Sequence, residues 1–130
     1  MFVPPERWRV SYATFLEHSA LNNMSESNLE FQRKIIQHSG LSQLTSLPPS
    51  YHSIPCDKGM SFSRHESETV FFTMLDELFS KTSVLPSQIG ILVLNCCLFY
   101  PSPSLSAMVV NRYKMRSDIK SFNISGMGCA

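Results

Sequence analysis

The chain has 130 residues, 43% hydrophobic and 16% charged, with eleven Lys and Arg against ten Asp and Glu. A charged share below the ordinary value of about 25% excludes a charge-rich disordered chain. A net charge of +1 offers no basic field for nucleic acid or an anionic membrane, and the length suits one compact domain.

The opening segment, Met1-Phe2-Val3-Pro4-Pro5-Glu6-Arg7, lacks the basic stretch and apolar run of a signal peptide and reads as a Pro-Pro linker. Ser11 then caps a predicted helix to Leu21, with Tyr12, Phe15 and Leu16 at helical spacing. The polar stretch Met24–Ser27 breaks it, and Ser25 caps a second helix. In that helix Leu29 and Ile36 lie seven apart, Phe31 and Ile35 four apart, and Gly40 supplies the stop after His38 and Ser39. Residues 41–62, with three prolines, five serines and one glycine, read as an internal surface loop.

Ser63-Arg64-His65-Glu66 fits a capping box for the third helix, with Ser61 as the alternative cap. Val70, Phe71, Met74, Leu75, Leu78 and Phe79 form its apolar stripe, while Glu66, Glu68, Asp76 and Glu77 read as a solvated face. Residues 82–88 turn the chain at Pro86 into the continuous apolar run 89–94, as expected of a strand covered on both faces. Even extended to Tyr100, this run is shorter than the roughly 20 residues of a spanning helix. Pro101 and Pro103 re-aim the chain, and Leu105, Met108, Val109 and Tyr113 outline a short helix. After a polar turn at Ser117–Lys120, Phe122-Asn123-Ile124 forms a second strand. This order predicts an α/β layer, with helices packed on a mostly parallel sheet.

Four cysteines, Cys56, Cys96, Cys97 and Cys129, form no C-x-x-C pair and have no His at zinc-ligand spacing. Adjacent Cys96 and Cys97 point to opposite sides of a strand and do not bridge each other. Read as reduced thiols, the four favour a cytosol-facing compartment. His18, His38, His52 and His65 are scattered through the first half without an H-x-x-x-H pair, so no metal site is expected. Cys129 differs from the other cysteines in its setting, since a strand runs into Gly126-Met127-Gly128-Cys129. Small residues there allow a sharp turn, and a helix starting at such a cysteine lowers its thiol pKa. Backbone N–H groups beside it hold an oxyanion.

The segments Phe15-Leu16-Glu17-His18-Ser19, Leu29-Glu30-Phe31-Gln32-Arg33-Lys34-Ile35, Ser39-Gly40-Leu41, Leu75-Asp76-Glu77-Leu78-Phe79 and Ile89-Gly90-Ile91-Leu92-Val93 resemble plant 3-ketoacyl-CoA synthases, the condensing enzymes of fatty-acid elongation. The most specific match is Asn95-Cys96-Cys97-Leu98-Phe99-Tyr100-Pro101-Ser102-Pro103-Ser104-Leu105-Ser106-Ala107-Met108, reinforced by residues 119–129. The resemblance implies a thiolase-like fold built of two α/β halves, of which residues 1–130 are the N-terminal part of the first. It implies that Cys129 is the nucleophile, acylated by a very-long-chain acyl-CoA. Decarboxylated malonyl-CoA then attacks this thioester to give a 3-oxoacyl-CoA, and no cofactor beyond these substrates is needed. It further implies a homodimer, contact with other elongase components, and the endoplasmic reticulum membrane as location.

Family members place a catalytic His and Asn well after the nucleophile and two hydrophobic anchor helices before the condensing domain. None of these matches a position in this sequence, so the 130-residue chain is expected to be cut one residue after its nucleophile and inactive alone. Cys97 stands where the family has serine, Ser125 where it has glycine, and His38 where it has arginine. Two other readings stand beside this one. The first is a non-catalytic partner that docks on full-length synthases through the Val70–Phe79 stripe. The second is a relative of the type III polyketide synthases, against which the Asn95–Met108 match argues.

Overall fold

A computed structural model describes residues 2–125, and Cys129 lies outside them. The chain divides into two compact units, Val3–Phe62 and the residues from Ser63 onward together with Phe2. In the first unit, a 3-10 turn at Glu6–Trp8 leads into an antiparallel bridge between Arg9 and Ser46. The Val10 N–H donates to Thr45 O at 2.9 Å and the Leu47 N–H to Trp8 O at 2.8 Å, closing a long loop on its own start.

Helix α1 (Tyr12–Leu21) begins where predicted, with Ser11 Oγ accepting the Thr14 N–H at 3.1 Å. Helix α2 (Glu26–His38) is capped by Ser25, which accepts from the Asn28 N–H, and packs on α1. It ends at Ser39, before Gly40 turns into the left-handed region at φ +70°. Of its two apolar pairs only the first faces inward. Ile36 is buried and Leu29 half-buried, whereas Phe31 and Ile35 are 63% and 47% exposed. A 13-residue helix cannot bury two faces against a single neighbour.

The predicted loop is shorter than 41–62, because helix α3 (Met60–Thr82) starts before the predicted caps. Asp57 Oδ1 accepts the Gly59 N–H at 2.8 Å and Gly59 O accepts the Phe62 N–H at 3.1 Å, so the turn into the helix forms upstream. Ser61 and Ser63 therefore lie inside α3, and the Ser63–Glu66 pattern is not a capping box. Ser63 instead offers its carbonyl to Ser67 Oγ at 3.0 Å.

In the second unit, strands β1 (Ile91–Asn95) and β2 (Lys120–Ile124) pair in parallel, Ile91 opposite Lys120 and Asn95 opposite Ile124. Helix α4 (Leu105–Arg112), capped by Ser104, connects them and packs on both. The α/β architecture with a parallel sheet is thus as predicted. The core is Leu94, Leu105, Met108, Val109 and Met115, joined by Phe71, Phe72, Leu75 and Phe79 of α3. Leu105 and Val109 are 1% and 0% exposed, each burial stabilising by about 1.5–3 kcal/mol. Tyr113 locks α4 to α3. Its ring meets Phe72 and Phe79 edge-on at 6.0 and 5.2 Å, and its hydroxyl donates to Asp76 Oδ1 at 2.7 Å.

The sheet is not covered on both faces, contrary to the reading of its continuous apolar run. Leu92 and Leu94 turn towards the helices, while Ile91 and Val93 on the other face are 61% and 57% exposed. Both described helices that join this core lie against one side, and the alternation of a strand sends every second side chain to the other.

Candidate active site at the carboxyl end of the sheet

Parallel strands bring their carboxyl ends to one edge, and open α/β sheets place their chemistry there. At this edge β1 delivers Asn95, Cys96 and Cys97, and β2 delivers Ile124 and Ser125. The ladder continues one residue past β1, where the Cys96 N–H donates to Ile124 O at 3.0 Å. From Ser125 the sequence passes directly into Gly126-Met127-Gly128-Cys129.

The two neighbouring thiols have different surroundings. Read from their place near the strand end, both cysteines are expected to pack. Cys96 does, half-buried against the Leu94–Val109 core, whereas Cys97 is exposed because it lies past the strand end and outside that core. Ser125, which stands where the resemblance has glycine, is half-buried. Behind the edge, Asn123 Oδ1 accepts the Ser106 N–H at 3.2 Å, tying β2 to the first turn of α4. Arg64 of α3 reaches Pro103 O at 3.5 Å while paired with Glu68 at 3.4 Å, so the segment between β1 and α4 is held from the α3 side.

The histidines stay apart from this edge in role. His18 Nδ1 is 3.2 Å from Tyr51 O and His52 Nε2 is 3.0 Å from Leu47 O, so both rings fix loop backbone. His38 ends α2 and His65 is exposed on α3. A hollow of about 410 Å³ in the first unit is bordered by His18, Asn22, Cys56 and Lys58. There Asn22 Oδ1 accepts the Cys56 N–H at 2.6 Å, which makes the asparagine a loop clamp. Among the described residues no group of three or more His, Cys, Asp and Glu is placed to hold a metal ion.

The acidic residues of α3 are less uniformly solvated than their spacing suggests. Partial burial raises the pKa of Glu66. Glu77 pairs with Lys81, whose ammonium is the largest influence holding that carboxyl at about 2. Asp76 accepts the Tyr113 hydroxyl, and burial, followed by this bond, pushes the tyrosine pKa up. These carboxylates serve separate contacts and form no acid–base pair. The contact sequence reasoning missed is Asn123 with Ser106, since no local pattern marks a bond across 17 residues.

In the sequence this parallel edge is followed by Gly-x-Gly-Cys. Residues 1–130 match the family described as FAE1/Type III polyketide synthase-like protein, and the chain belongs to that family. It is 52% identical to 3-ketoacyl-CoA synthase 9 of Arabidopsis thaliana over 130 residues, covering 99% of this chain and 25% of the relative. With 3-ketoacyl-CoA synthase 17 of the same plant the identity is 53%, covering 99% of this chain and 27% of the relative. With 3-ketoacyl-CoA synthase 4 it is 50%, over 99% and 25% respectively. The chain therefore spans about a quarter of the length of the curated relatives it matches. No solved structure matches it. Among the described residues no helix is long and apolar enough to cross a membrane.

Proposed function

We propose that this chain is the N-terminal part of the condensing domain of a 3-ketoacyl-CoA synthase, with Cys129 as the acyl-accepting nucleophile. The observation that carries this reading is the parallel pair itself, whose carboxyl edge opens directly into Gly126-Met127-Gly128-Cys129. In the proposed reaction the Cys129 thiolate attacks the carbonyl of a long-chain acyl-CoA and expels CoA as its thiolate, leaving an acyl thioester. Malonyl-CoA loses CO₂, and the resulting carbanion attacks that thioester. The products are a 3-oxoacyl-CoA two carbons longer and the regenerated cysteine thiolate. No cofactor takes part. The condensing domain works as a homodimer with other elongase components at the endoplasmic reticulum membrane.

The test is thioester formation in a chimera in which these 130 residues replace the matching segment of 3-ketoacyl-CoA synthase 9. Incubated with a long-chain acyl-CoA, the chimera gains one acyl mass on the Cys129 peptide. Cys129→Ser abolishes the adduct, and Cys96→Ser and Cys97→Ser retain it. An adduct on another cysteine, or none, refutes the assignment.

The Val70–Phe79 stripe does not serve the docking reading as expected, because its Phe71, Leu75 and Phe79 pack on the core. The outward face of the sheet supports that second reading instead, since Ile91, Val93 and Phe122 are 61%, 57% and 52% exposed. Such a face also suits a non-catalytic chain that docks on a full-length synthase. Co-purification of the 130-residue chain with an intact synthase, lost on Val93→Glu, supports docking. A well-folded monomer that fails to associate counts against it.

A further inference from the structure

The hollow of about 410 Å³ in the first unit has a neighbour of about 320 Å³, and Val10, Phe15, Gln32 and Leu47 line both. Every lining residue lies between Val10 and Lys58, so none belongs to the sheet edge proposed for acyl transfer. Both volumes fall within the range of about 300–1,000 Å³ of small-molecule sites. Ile35, Ile36 and Leu41 give the smaller hollow an apolar wall, whereas His18, Asn22 and Lys58 border the larger.

Gln32, on the shared wall, has its Oε1 buried without a hydrogen-bond partner, a state that costs the fold until a donor reaches it. Asn22, the other amide at the larger hollow, is already committed. Its Nδ2–H donates to His18 O at 2.7 Å and its Oδ1 accepts the Cys56 N–H at 2.6 Å. His18 Nδ1 is 3.2 Å from Tyr51 O, a group that only accepts, so the hydrogen is on Nδ1 and the neutral ring keeps Nε2 as an acceptor. Unfilled acceptors thus stand beside an apolar chamber, the complement of a hydroxyl on a hydrocarbon chain.

We infer that the paired hollows bind a single-chain alcohol, its hydroxyl donating to Gln32 Oε1 and its chain lying against Ile35, Ile36 and Leu41. A methylene occupies about the 30 Å³ of a water molecule, so the 320 Å³ chamber holds a chain of about ten carbons. The inference does not depend on the proposed acyl transfer.

The probe is ω-bromodecanol added to the 130-residue chain, read by quenching of Trp8, its one tryptophan. Trp8 O accepts the Leu47 N–H at 2.8 Å, which sets Trp8 beside the shared wall. Saturable quenching is expected. From six to ten carbons the affinity rises about threefold per methylene, and about twelve carbons gain nothing further. The methyl ether of the probe keeps the chain without the donor, and ω-bromodecanoate is ionised at neutral pH. Each binds about tenfold more weakly than the alcohol. Gln32→Leu costs the alcohol about tenfold and leaves the ether unchanged, with a urea midpoint no lower than the parent's. Ile35→Glu, at a position 47% exposed, puts a charge on the apolar wall and weakens alcohol and ether alike. Quenching that never saturates overturns the inference, as does equal affinity for alcohol and ether or undiminished alcohol affinity in Gln32→Leu. Carboxylate binding as tight as the alcohol also overturns it, since Lys58 and not Gln32 then reads the head group.

Discussion

Replacing Tyr113 by Phe isolates one hydroxyl in the contact that joins α3 to α4. The ring keeps its edge-on contacts with Phe72 and Phe79, and what is lost is the bond to Asp76 Oδ1 at 2.7 Å and a longer approach to Phe72 O at 3.2 Å. A hydrogen bond to a charged group contributes about 1.5–3 kcal/mol. Asp76 is exposed, so competing water puts the expected loss at the lower end, about 1–1.5 kcal/mol. At a urea slope of about 1–1.5 kcal/mol per molar for a small chain, the midpoint falls by about 1 M. Asp76→Ala and the double variant complete a cycle, in which a coupling of at least about 0.5 kcal/mol is expected. The same pair predicts an alkaline signature. The folded protein holds the Tyr113 proton more tightly than the unfolded chain does. Its contribution is therefore complete below about pH 10, the ordinary tyrosine value, and is lost as pH rises towards the folded value. Stability above about pH 10 should fall less steeply in Tyr113→Phe than in the parent. A midpoint unmoved within about 0.2 M, with no coupling and identical alkaline slopes, would falsify the view that this hydroxyl fastens the two helices.

Leu105→Ala is expected to cost about 2–5 kcal/mol in urea unfolding, because Leu105 is 1% exposed among Leu94, Met108 and Val109. A loss under about 1 kcal/mol means that the site collapses or is wet. Gly40→Ala should cost about 1–2 kcal/mol, entirely through its φ of +70°, since nothing lies within 4 Å of the added methyl. Gly90→Ala, equally open and without a positive φ, is the control and should be far milder. Lys81→Met should raise the Glu77 pKa from about 2 part of the way to the ordinary value of about 4.3, read by NMR titration. The sign follows from the lowered pKa: the pair's contribution is present above about pH 4.3 and is lost as pH falls towards 2. An unmoved titration assigns the shift to other neighbours.

Elements whose signals are local were legible in the sequence. Ser11 and Ser25 cap α1 and α2, and Gly40 ends α2. Each of these depends on atoms within four residues. The Ser63–Glu66 pattern misled because the same spacing occurs inside a helix, and the Asp57–Gly59 turn had already set the start. Phe31, Ile35, Ile91 and Val93 show the second limit: an apolar residue states what a face prefers and not whether another layer reaches it. At the candidate site, the order and parallel pairing of the strands were legible. The Asn123–Ser106 bond was not, because it exists only once α4 has folded back over β2.

The parallel register of β1 and β2 also constrains the order of assembly. Antiparallel neighbours zip outward from a tight turn, but here no ladder bond forms until segment 96–119 has crossed from one end of the sheet to the other. The closure entropy of that crossover is spent before pairing returns anything. Docking of Leu105 and Val109 on Leu94 is the contact that shortens the search, since it seats α4 above a strand that still lacks its neighbour. Core substitutions in α4 should therefore retard refolding, while changes on the outer face of β2 should mainly hasten unfolding.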